Sequence, residues 1–178
     1  MFGLEPQPTS YDWRFQIFGI PVRVHPLFWL LGVILGARGS EGVELLVYIL
    51  IWVGVVFVSI LVHELGHAMM MRYFGQGSSI VLYVMGGLTI PESSAWQFGS
   101  SQRSRGPIEQ ILISIAGPAA GFLMAGALIG TIFAAGGSVR FGFAYGVIPW
   151  AVIDSSPPFF NEYWKILFSG LLFVNVFW

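Results

Sequence analysis

The chain contains no cysteine, which excludes disulfides, thiolate catalysis and any cysteine-ligated zinc ribbon and leaves every compartment open. Charge is scarce as well. Only 10% of the 178 residues are Asp, Glu, Lys or Arg, where a soluble domain carries roughly 25%. Eight basic residues against nine acidic ones give a net charge of −1, with no basic block, so nucleic acid is not a natural partner. The first sixteen residues hold Glu5, Asp12, Arg14 and two prolines, and lack the basic, apolar and small-residue succession of a removable signal peptide. No internal repeat is evident.

What the chain has in abundance is apolar side chains, 56% of the total, with a mean hydropathy of +0.77. Twenty-three glycines and seven tryptophans in such a chain fit tightly packed membrane helices with aromatic residues near the interfaces. The expected class is a mainly α, multi-pass membrane bundle in contact with lipid. Leu45 to Val62 is eighteen residues without a charge and runs on helically through His63 to Met71. About 20 apolar residues cross a bilayer core, so this segment should span, as should Ile111 to Ala135. Pro26 to Ala37 is a shorter apolar run, also expected to span. Ile166 to Trp178 is too short to cross alone, so the last core helix is expected to be cut within it.

Short surface strands are expected between these helices. Trp13 to Phe18 and Val22 to His25 flank a Gly19-Ile20-Pro21 turn, and Ser79 to Val84 precedes Gly86-Gly87 and Leu88 to Ile90. The residues divide into an arm, 1–25, with surface strands, and a membrane-embedded core, 26–178. Pro91 to Pro107 is rich in Ser, Gly and Gln and reads as a loop, and Val139 to Ile153 as a surface-embedded loop or a short membrane segment. Five of the eight basic residues would share one face, which puts the N terminus and the C-terminal end of the Leu45 helix on the cytoplasmic side of a cell membrane. Gly117/Gly121 and Gly126/Gly130 both have the spacing that lets helices approach closely, for packing against the Leu45 helix or for dimerisation; the oligomeric state is left open.

His63-Glu64-Leu65-Gly66-His67 is the H-E-x-x-H pattern. Positions four apart lie one turn apart on one helix face, so both imidazoles can ligate a single ion, and neutral imidazole suits zinc. Glu64 lies beside the first ligand, where its carboxylate can take a proton from water and pass it to a leaving amine. Such a pattern also arises by chance in helices. Here the three residues are the strongly polar ones between Leu45 and Met71, and polar groups within a bilayer are costly enough to mark a function.

The chain resembles the site-2 protease family of intramembrane zinc metalloproteases, in a compact form with no inserted peptide-binding domain. The resemblance rests on HELGH at 63–67 ending a membrane helix, the Gly86-Gly87 pair in a strand-like segment, and Ile115-Ala116-Gly117-Pro118 opening the next helix. The Gly19-Ile20-Pro21-Val22-Arg23-Val24-His25 arm also matches. The resemblance implies a Zn2+ site ligated by His63 and His67 with Glu64 as the catalytic carboxylate. It implies transmembrane proteins as substrates, paired in extended form with the strands, with Gly86 and Gly87 facing the substrate. A simple turn at those two glycines is an equal alternative.

The family's third ligand is an aspartate after an Asn- and Pro-containing stretch; Asn175 resembles the asparagine preceding it, and the aspartate is expected beyond Trp178. Asp154 and Glu162 are assigned to the opposite face. His25 and Glu109 could approach the site, but a cap on the first helix and a helix N-terminal charge are the simpler roles for them. The 178-residue chain is accordingly expected to be inactive as it stands. A non-catalytic membrane protein that binds transmembrane helices is the alternative function, and a transporter a more remote one.

Overall fold

The computed structural model describes residues 6–37, 42–84, 86–91, 106–144, 148–155 and 161–177. The apolar run from Leu45 and the HELGH pattern form one helix, α2 (Gly42–Tyr73), whose 32 residues reach about 48 Å, more than the ~30 Å of a bilayer core. Helix α3 (Pro107–Ala134) opens on a proline in its first turn, where the missing N–H costs nothing, and carries Glu109 where a negative charge suits the helix dipole. It continues through Pro118 without a break. Only 28% and 22% of the residues in the most apolar windows of α2 and α3 are buried within the chain. Core helices of soluble proteins are mostly buried. These two instead expose large side chains such as Leu50 and Leu123 along helices that are apolar all round, the surface expected of a membrane protein facing lipid.

Helix α1 (Phe28–Gly36) departs from expectation, since nine residues rise about 14 Å and cannot cross a bilayer. Its start is fixed at His25, whose carbonyl accepts the Phe28 N–H and whose Nδ1 accepts the Leu27 N–H at 3.2 Å. Among the described residues two helices, not three, are long and apolar enough to span. Helix α1 lies antiparallel on α2. Gly32 and Gly36 set the closeness of that contact, because a Cβ at either would fall 2.6 Å and 2.5 Å from the Cα atoms of Val53 and Ile49.

Two pairs of strands meet in one four-stranded sheet, β1 (Trp13–Ile17), β2 (Ile20–Val24), β3 (Ser78–Tyr83) and β4 (Gly86–Pro91), in that order. β1–β2 and β3–β4 are antiparallel, and β2–β3 is parallel, its crossover being the α1–α2 helix pair. The first turn is Phe18-Gly19, both at positive φ, rather than Gly19-Ile20-Pro21. Two residues at positive φ match the right-handed twist of a tight hairpin, and Pro21 then falls inside β2 but outside the β2–β3 ladder, where its missing donor is harmless. β2 alternates strictly, burying Ile20, Val22 and Val24, which pack with Ile80 and Leu82 on Val56, Ile60 and Ala68 of α2. Trp13, Phe15, Phe28, Trp29 and Phe57 form an aromatic cluster that ties the arm to α1 and α2.

Gly86-Gly87 is strand and not turn: Tyr83 pairs with Gly86 and Leu82 with Gly87, so both glycines stand in β4 at the end of the sheet. The Val139–Ile153 segment is also ordered differently from expectation. It forms an antiparallel hairpin, β5 (Ser138–Ala144) and β6 (Ile148–Ser155), with an exposed Arg140–Asp154 ion pair at 2.8 Å. Ile153 packs on Ala125 and Ile132 of α3 and on Leu172 of α4 (Glu162–Phe177). Most of the Pro91–Pro107 loop lies outside the described residues.

Candidate active site

The site forms where α2, α3 and β4 converge. His63 and His67 stand one turn apart on α2 and turn their rings toward each other, with the two Nε2 atoms 3.1 Å apart. The other ring nitrogen of His67 is engaged: Nδ1 lies 2.6 Å from the Ile113 carbonyl of α3. A carbonyl only accepts, so Nδ1 carries the proton and Nε2 is left with its lone pair facing His63.

Helix α3 comes this close because small residues line the contact. A Cβ on Gly66 would fall 2.3 Å from the Ala116 carbonyl oxygen, and one on Gly117 would fall 2.2 Å from His67 Nε2 and 2.7 Å from His63 Nε2. Gly117 thus serves more than helix packing, and its partner Gly121 abuts Asn175 of α4. Among the described residues nothing lies within 4 Å of a Cβ built on Gly126 or Gly130, so the second expected close-packing pair is unused there.

Glu64 is buried, 5% exposed, on the side of α2 that meets β4. Thr89 donates its hydroxyl to Glu64 Oε2 at 2.7 Å, with the Glu64 main-chain carbonyl as a longer alternative at 3.1 Å. The carboxyl lies flat over Gly87, where a Cβ would come within 2.2 Å of Glu64 Cγ and 2.6 Å of Oε1. One oxygen is thereby held by Thr89 while the other lies against the backbone of the terminal strand. Thr89 was not apparent from sequence. Strand period supplies the signal that finds it, since Thr89 stands two residues from Gly87 and so on the same face of β4.

The remaining candidates fall elsewhere. His25 caps α1 and lies edge-on to Tyr83, and Glu109 sits in the first turn of α3. Asp154 and Glu162 pair with Arg140 and Lys165, both at 2.8 Å. Asn175 is buried and donates to Ser59 Oγ and to the Leu171 carbonyl, both at 2.8 Å. Together with the contact of Gly170 on Val55, this makes α4 parallel to α2 and brings Asn175 level with the turn before His63.

The donor set suits zinc in part. Two Nε2 atoms converge on one point with one tautomer fixed, close to the ~3.3 Å separation of two nitrogens held about 2.0 to 2.1 Å from a tetrahedral zinc ion. Among the described residues no group of three His, Cys, Asp or Glu comes together, so two of the usual three protein ligands are present there.

No protein-family profile matches the chain, and no curated protein matches it by sequence. A solved structure does: a site-2 protease from Methanocaldococcus jannaschii superposes with a TM-score of 0.50 at 20% identity, over 93% of this chain. This chain has a site-2 protease fold. It spans 62% of the length of that protease. The HELGH helix α2 contacts the glycine-bearing strand β4 through Glu64 and the Gly117 helix α3 through the two histidines.

Proposed function

We propose that the protein is a zinc-dependent intramembrane endopeptidase that hydrolyses peptide bonds in or near transmembrane segments of other proteins. The observation that carries this reading is the HELGH cluster itself. Two imidazoles converge through Nε2 and a carboxylate is buried beside them, in a helix whose preceding eighteen residues, Leu45 to Val62, carry no charge. Bilayer burial of such groups is costly unless they work together.

His63 and His67 would hold the metal, and zinc bound there would polarise a substrate carbonyl and acidify a water. The other steps belong to the chain. Glu64, oriented by the Thr89 hydroxyl, accepts a proton from the attacking water and delivers it to the leaving amine. β4, at the end of the sheet, offers main-chain hydrogen bonds to a substrate drawn out of its helix into an extended strand, which exposes the amide that a helix conceals. Gly87 lets the backbone of β4 come close to Glu64, and Gly86 and Gly87 are the residues of β4 proposed to face the substrate. Arg14 and Arg23 of the arm and Arg72 at the end of α2 favour a cytoplasmic orientation of the site under the positive-inside rule.

The test is Glu64→Gln in the full-length protein. Cleavage of a transmembrane substrate in liposomes should fall by about 10² to 10⁴-fold, the usual contribution of a general acid–base, while bound zinc is unchanged. Undiminished cleavage in that variant, or cleavage insensitive to chelators, would sink the proposal.

A further inference from the structure

We propose that α3 is the outer support of the histidine pair: the Ile113 carbonyl fixes the tautomer of His67, and the bare Cα of Gly117 makes the space in which the two Nε2 atoms meet. This rests on the reading of His63 and His67 as metal ligands and extends it to a third element of the fold.

The two contacts are spaced one helical turn apart on α3, as the two histidines are on α2. Antiparallel packing sets Ile113 against His67 and Gly117 across both rings. Gly66 permits this close approach, because a Cβ there would fall 2.3 Å from the Ala116 carbonyl oxygen and 2.8 Å from the Ala120 Cβ. The Nδ1–carbonyl contact of 2.6 Å is short for a nitrogen donor, and it uses a main-chain acceptor on a neighbouring helix rather than a carboxylate. Metal-binding histidines commonly have their second nitrogen held in this way, which raises the basicity of the ligating nitrogen and fixes the ring plane. Gly117 performs a different task. Any side chain there would occupy the volume on which both Nε2 atoms converge, since its first atom already falls 2.2 Å and 2.7 Å from them. The positioning depends on how α3 docks, so the ligand geometry is built by tertiary contact and not by α2 alone.

The experiment is a zinc titration of the purified full-length protein against a competing chelator, with Gly117→Ala, Gly126→Ala and His63→Ala/His67→Ala alongside wild type, and nitrogen NMR of 15N-histidine-labelled wild type. Gly126 has no neighbour among the described residues, so its variant controls for an added methyl group on α3. Expected are a 10 to 100-fold weaker zinc affinity for Gly117→Ala, the scale typical of lost outer support, and no change for Gly126→Ala. The wild-type spectrum should show His67 protonated on Nδ1 with and without zinc. Wild-type affinity in Gly117→Ala, or a His67 proton on Nε2, overturns the proposal while leaving the zinc site standing. Should Gly117→Ala fail to fold, the wild-type tautomer decides alone. Full zinc affinity in the double histidine variant overturns this proposal and the metal-site reading together.

Discussion

Replacing Gly87 by Ala isolates the role of β4 in the site. Gly87, unlike Gly86 at φ 124°, does not have positive φ, so alanine brings no backbone strain there and acts through its Cβ alone. That atom would stand 2.2 Å from Glu64 Cγ, and ordinary contact begins at 3.4 Å, so the carboxyl must retreat by about 1.2 Å. Thr89 lies on the same strand and its bond to Oε2 is already 2.7 Å, so the carboxyl cannot move without stretching it. A misplacement of about 1 Å at a reacting group can cost about 10²-fold in rate, and this is the loss expected in kcat for substrate cleavage in liposomes. Zinc content should remain at the wild-type level, because the nearest atoms to Gly87 all belong to Glu64 and none to the imidazoles. Gly87→Ala and Gly117→Ala should therefore separate: the first impairs turnover with metal bound, the second impairs metal binding. Cleavage by Gly87→Ala within about threefold of wild type, at equal zinc content, would refute the placement of Glu64 against β4 as a determinant of rate.

Two further perturbations address the scaffold. Gly36→Ala puts a methyl group 2.5 Å from the Ile49 Cα, backbone against backbone, and overpacking of this kind should destabilise the α1–α2 pair by about 1 to 3 kcal/mol, read as a lowered midpoint of thermal unfolding in detergent; an unchanged midpoint contradicts the close contact. Asp12 should make the internal fold of the arm acid-sensitive. Its carboxylate accepts from the Thr9 hydroxyl at 2.6 Å, the Thr9 N–H at 3.0 Å and Arg23 at 3.1 Å, and these hold its pKa near 2, below the ordinary 3.8. A depressed carboxylate pKa contributes stability that is complete above the unfolded value and is lost as the pH falls from about 3.8 toward 2. Protection of the β1 amides, measured relative to their intrinsic exchange rates, should fall across that window in wild type, and Asp12→Asn should remove that fall while lowering protection at neutral pH; parallel protection profiles for the two proteins would refute the role of Asp12.

Much of this architecture was legible in the amino-acid order because it depends on local repetition. Uncharged runs close to or above the length of a bilayer core define α2 and α3, and the i, i+4 spacing of His63 and His67 puts them on one helix face whatever else the chain does. Strand signals at both ends of the sheet were also visible. Less legible were elements whose limits come from contacts: α1 has the composition of a spanning helix but is held to nine residues, and the Gly86-Gly87 pair resembles a turn until the β3 register places it in a strand. The β5–β6 hairpin was obscured by Gly142, Gly146 and Pro149, which weaken the strand pattern in an otherwise apolar segment.

The sequence by itself determined the membrane class, the two long helices and the shared face of the histidines, since each follows from composition or from a period of a few residues. Tertiary structure alone decided which groups surround that face. Thr89 on Glu64, Ile113 on His67 and Gly117 against both imidazoles join segments separated by 25 to 54 residues, and their register is set by helix and strand surfaces meeting at bare glycines. Helical periodicity is a property of one segment, whereas the fit of two backbones at van der Waals distance is a property of the pair.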